Sequence, residues 1–162
     1  MPGSNSPLYY WDACLFLAWI ADEQRPSGDM DGVRELIQRL KRREVKIITS
    51  VLTTSEVLEA KMPAGVPRLF NDLMKRIGRQ SIDIRIAELA HDLREKTTID
   101  GRVLKTPDAL HLATAIHIRA EQFHTFDDKL LRLSGNVGGH RLIVCKPESK
   151  NPQLDLKRPG TP

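Results

Sequence analysis

Cysteine is nearly absent: Cys14 and Cys145 are the only two, and neither sits in a CxxC or other metal-ligand spacing. That excludes a disulfide framework and a thiolate zinc site, and both thiols read as buried side chains. The five histidines, His91, His111, His117, His124 and His140, form no HExxH or HxxxH pattern, so an imidazole zinc site is not indicated either. Long apolar runs are missing. No stretch approaches the roughly 20 residues that span a bilayer, so a membrane protein is not expected. The segment "MPGSNSPLYYWDACLFLAWIADE" has no basic leading region and is interrupted by an aspartate, so it does not read as a signal peptide, and a cytoplasmic location is expected. The glycine patterns of dinucleotide-binding and P-loop proteins are absent as well.

What is present is an ordinary globular composition, 40% hydrophobic and 28% charged over 162 residues, enough for one domain with a real core. A net charge of +4 and a pI near 9.2 are compatible with an anionic partner such as nucleic acid. Short β-branched and aromatic runs alternate with helical periodicity, the pattern of βα units around a mainly parallel sheet. "LYYW" (8–11) reads as the first strand, with a helix from about Ala13 that stops before Pro26. Val33, Leu36, Ile37 and Leu40 mark a second helix and "VKIITS" (45–50) the next strand, after which a helix starts near Thr53. Phe70, Leu73, Met74 and Ile77 repeat the helical spacing, as do Ile86, Leu89, Ala90 and Leu93, with "SIDI" (81–84) between them as a third strand. A 107–120 helix leads to the strand "FHTF" (123–126), a short helix from about Asp128 to Leu133, the turn "SGNVGG" and a last strand "RLIVC" (141–145). The expected organisation is therefore an α/β domain over 1–145 with four to five strands. The proline-bearing segment 146–162 reads as a flexible C-terminal tail.

In open α/β sheets, ligands bind beyond the carboxyl ends of the strands. Acids recur there: Asp12 after the first strand, Glu56 after the second, Asp108 at the start of "DALHLATAI", and Asp127 with Asp128 after "FHTF". Each has a simple alternative role, because the first turn of any helix favours a carboxylate. Thr53-x-x-Glu56 and Thr125-x-x-Asp128 match the capping box, and Thr106-Pro107 matches an N-cap followed by proline. Two features point past capping. Asp12 is embedded in "YYWDACLFLAW", where an unpaired charge costs several kcal/mol. Asp108 fronts a helix apolar on nearly all faces, which places its N-terminus in the sheet crevice. Carboxylates gathered without basic partners repel one another, and a divalent cation resolves this; oxygen ligands favour magnesium or manganese over zinc.

These segments resemble the PIN-domain ribonucleases, and among them the VapC-type toxins of toxin–antitoxin pairs. The resemblance runs over about residues 8–145 through "YYWDACLFL", "TTSEVLEA", "TPDALHLATAI" and "FHTFDDKLLRLSG", in that order. It implies a three-layer α/β/α PIN-like domain and a metal-dependent endoribonuclease using Mg2+ or Mn2+. It also implies an RNA substrate, with transfer RNA as a candidate, a homodimer, and an antitoxin that blocks the site. Carried over by position, Asp12, Glu56, Asp108 and Asp127 are catalytic metal-ligating acids, Thr125 supports the site through its hydroxyl, and Asp128 is left to the helix. Arg102 and Lys105, just before Asp108, are read either as phosphate contacts or as exposed loop charge. The run "RLKRREVK" (39–46) falls at the opposite edge of the sheet and reads as a solvated face. His111 could support the site from behind or be a hydrogen-bonded core histidine. Trp11 and Trp19 read as core or dimer-interface aromatics. The competing function is a catalytically silent domain of the same fold that binds RNA or protein. A receiver-type phosphotransfer domain fits less well, lacking paired acids at the first strand.

Overall fold

The computed structural model describes residues 5–22, 25 and 28–149. Five strands form a parallel sheet in the order β3-β2-β1-β6-β7: β1 (Leu8–Trp11), β2 (Lys46–Ser50), β3 (Gly78–Gln80), β6 (Gln122–His124) and β7 (Ile143–Cys145). Adjacent residues of a strand point to opposite faces, so β1 sends Trp11 one way and Tyr10 the other. Trp11 packs with the helices α1 (Ala13–Ile20), α2 (Asp29–Lys41) and α4 (Val66–Met74), through Phe16, Val33, Leu36 and Phe70. Tyr10 packs with α5 (Ile84–Lys96), α6 (Thr106–His117) and α7 (Asp128–Leu131), through Leu93, Leu112, Phe123 and Leu130. The result is the expected α/β/α sandwich. A five-residue helix, α3 (Leu52–Glu56), follows β2, and a single 3-10 turn follows it at Glu59–Lys61. No described helix is long and apolar enough to cross a membrane.

The chain leaves β1 for β2 on one side and reaches β6 on the other, so the strand order reverses between β1 and β6. The crevice at that switch point is where an open sheet admits a ligand. The residues that follow these two strands are Asp12 and Thr125–Asp127.

Two expectations are corrected. "SIDI" is not a strand. The third strand is Gly78–Gln80, Asp83 caps α5 by accepting a hydrogen bond from Ile86 N at 3.0 Å, and Ile84 is 73% exposed, so the apolar alternation there reflects no buried face. Ile77, counted with the helical spacing, lies beyond the end of α4. A small antiparallel hairpin also went unread, β4 (Thr98–Ile99) with β5 (Arg102–Val103). Its two-residue turn is Asp100-Gly101, both at positive φ (52° and 73°), the Asp-Gly pairing that a type I′ turn favours.

The chain beyond Cys145, read as a tail, begins packed on α2. Lys146 pairs with Asp29 at 3.1 Å and Ser149 hydrogen-bonds Glu35. Between them the Pro147 carbonyl crosses Gly32 so closely that a Cβ there would lie 2.1 Å from it. The rest of the tail, 150–162, lies outside the described residues.

Candidate active site

Asp12 leaves β1 in an extended conformation and becomes the N-cap of α1. Its Oδ1 accepts from Cys14 N at 3.0 Å and from Cys14 Sγ at 2.7 Å, and its Oδ2 accepts from Thr125 Oγ1 at 2.6 Å. At 6% exposure, burial pushes the carboxyl above the usual range, and these hydrogen bonds pull against the shift. Burial and then the Asp12 charge push the Cys14 thiol up, keeping it a neutral donor. The expected Thr125 contact is thus present. The fully buried Thr125 hydroxyl also accepts from Asp127 N at 3.0 Å, binding the two acids to one another across the switch point.

Asp127, not Asp128, caps α7: its Oδ1 accepts from Lys129 N at 2.8 Å, while Asp128 is exposed in the first turn. The cap expected of Asp128 thus falls to Asp127, because the Thr125 hydroxyl, besides donating to Asp12, accepts from Asp127 N and not from Asp128 N. The other two capping signals fail as well. Thr53 lies inside α3, where its hydroxyl meets Thr49 Oγ1 at 2.7 Å, and Glu56 closes that helix instead of opening it. Lys105, with no capping side chain, occupies the N-cap position of α6, so Thr106 is already helical.

Asp108 stands half-buried in the first turn of α6 and faces a cavity of about 140 Å³ shared with Asp127, Arg102, Lys105 and Lys129. Burial raises its carboxyl most; the charges of Asp127 and Asp12 raise it further, and His111 and Lys105 oppose them. Three acids from three loops therefore share one electrostatic environment. Glu56 reaches the same region through His111, whose Nε2 lies 2.8 Å from Glu56 Oε2. His111 is a buried histidine with both ring nitrogens engaged, one of them with Glu56.

The donor set fits a hard divalent cation in chemistry: oxygen ligands whose mutual repulsion a cation relieves. Among the described residues, no three His, Cys, Asp or Glu side chains are drawn close enough to hold one ion.

Residues 9–136 match the PIN domain family, a span that contains all four acids. The chain belongs to that family. PIN domains are generally nucleases, so phosphodiester hydrolysis is the chemistry to set against these acids. Among solved structures, this PIN domain is similar to a toxin–antitoxin complex from Klebsiella pneumoniae (23% identity, TM-score 0.59), covering 87% of this chain and 98% of that one. It is also similar to VapBC2 from Rickettsia felis bound to a DNA fragment from their promoter (16% identity, TM-score 0.63), covering 85% and 96%. At these identities the likeness is one of fold. No curated protein matches the chain.

Proposed function

We propose that this PIN domain is a metal-dependent endoribonuclease and the toxin of a toxin–antitoxin pair, with Asp12, Glu56, Asp108 and Asp127 holding Mg2+ or Mn2+. The observation that carries the reading is the shared field of Asp12, Asp108 and Asp127 at the reversal of strand order, where Asp108 is raised by burial and by both neighbours. Such an arrangement disfavours the metal-free ionised state. A divalent cation bound there would supply water that ionises near neutral pH and a counter-charge for the phosphoryl oxygens.

The chain's own residues do the rest. Thr125 and Cys14 fix Asp12, so that carboxylate is preorganised. Arg102, Lys105 and Lys129 line the cavity of Asp108 and Asp127 and would hold the RNA phosphates against acids that otherwise repel them. No protein nucleophile is needed, and hydrolysis would leave 5′-phosphate and 3′-hydroxyl ends. The toxin role draws on the two structural neighbours, both solved as toxin–antitoxin assemblies. A homodimer, a cytoplasmic location and an antitoxin partner belong to the same proposal.

A second reading has its own support: Asp12 and Asp127 cap helices, as in a PIN fold that binds RNA or protein without cutting it. Incubation with total transfer RNA and Mn2+, with and without chelator, separates the two. Chelator-sensitive fragments bearing 5′-phosphates support the nuclease. Intact RNA retained on the protein supports the silent module.

A further inference from the structure

A continuous chain of hydrogen bonds holds Glu56 from inside the core. The backbone N–H of Ser50, at the end of β2, donates to Tyr10 Oη at 3.1 Å. The Tyr10 hydroxyl lies 2.6 Å from His111 Nδ1, and His111 Nε2 lies 2.8 Å from Glu56 Oε2. A carboxylate can only accept, so the ionised Glu56 receives the Nε2 proton of His111. The other ring nitrogen, Nδ1, is held by the Tyr10 hydroxyl, whose oxygen also receives Ser50 N–H. Tyr10 is fully buried and His111 is 3% exposed, so water does not compete for these bonds.

Glu56 needs such an anchor. Its helix has only five residues and ends at Glu56 itself, after which Val57 is extended. The side chain is 28% exposed on a long flexible stem. The bond to His111 engages Oε2, and no described residue hydrogen-bonds Oε1.

We propose that Tyr10 and His111 are positioning residues that present the Glu56 carboxylate to the divalent cation, with Tyr10 holding the imidazole ring in place. The proposal rests on the metal-nuclease reading above. Hydrogen bonds behind metal ligands typically contribute 10- to 100-fold in metal affinity, which makes the effect measurable apart from catalysis.

The test is calorimetric titration of the full-length chain with Mn2+, with the metal-free melting temperature of each variant taken alongside. His111→Gln keeps an N–H donor where Nε2 was and is expected to bind within about threefold of wild type. His111→Asn, which places its amide near the Nδ1 position and leaves Glu56 without a donor, is expected to bind roughly 10- to 100-fold more weakly. Tyr10→Phe, which keeps the core volume, should fall between them. In an Glu56→Gln background, His111→Asn should cost no further affinity. Wild-type affinity in His111→Asn, or equal losses in the Asn and Gln variants, overturns the positioning role while leaving the metal site intact. Absence of Mn2+ binding by wild type overturns the metal reading itself, and the positioning role with it.

Discussion

Thr125 joins the two acids of the switch point through a single oxygen, giving its proton to Asp12 Oδ2 and receiving Asp127 N–H. Thr125→Val keeps the shape and deletes both bonds at a fully buried position, so a loss of about 2 kcal/mol in urea unfolding is expected. Thr125→Ser should recover most of it. Histidine gives a second prediction at this scale. Burial holds His124 down to about 4 from its ordinary 6.5, with Nδ1 accepting from Trp11 Nε1 at 3.1 Å. A base lowered by folding contributes stability that is complete above pH 6.5 and is lost as pH falls toward 4, because only the unfolded chain takes up the proton. Between pH 7.5 and 5.0 this amounts to about 2 kcal/mol. His124→Asn, which keeps an acceptor for Trp11, should shrink the stability difference between those pH values by that amount; an unchanged difference would show that His124 is not the titrating group. Neither partnership was legible in the sequence. Asp12 and Thr125 are 113 residues apart, and although the motif order placed Thr125 at the site, nothing local showed that its hydroxyl would be taken from the capping box at Asp128.

At the scale of elements, the order of strands and helices was readable because apolar periodicity records burial, and every helix packed on the sheet carried it. What failed were short segments where local chemistry decides. "SIDI" alternates like a strand, yet Asp83 caps α5 and Ile84 faces solvent. The Asp100-Gly101 hairpin was marked by its turn dipeptide and was overlooked because its strands are two residues long. That hairpin carries Arg102 to the cavity lined by Asp108 and Asp127. The start of the C-terminal segment was hidden for a different reason: its contact requires a missing side chain. Gly32→Ala would put a methyl group 2.1 Å from the Pro147 carbonyl and force residues 146–149 off α2. The bond after Glu148, in the segment held by the Lys146–Asp29 pair in the native chain, should then be cut by a glutamate-specific protease well before the rest of the domain; protection equal to wild type would show that the segment can shift without leaving.

Across the whole molecule, four acids from distant segments arrive at one end of a parallel sheet because all strand-to-helix connections of such a sheet emerge there. That geometry explains why each acid can look like a cap and still belong to a common site. A cation that binds only the folded chain stabilises it by about 2.7 kcal/mol at a hundred times its dissociation constant, roughly 5–10 °C in melting temperature for a protein of this size. Mn2+ should therefore raise the melting temperature of wild type and leave that of Asp108→Asn unmoved. Asparagine suits a first helical turn nearly as well as aspartate but brings no charge to a metal, so this substitution separates the two roles. The most direct measurement is cleavage of transfer RNA with Mn2+ by wild type and by Asp108→Asn, after both are shown to melt alike without metal. Cleavage by wild type alone, abolished by chelator, is the predicted result. Equal cleavage by both proteins would contradict the assignment of Asp108 to the active site.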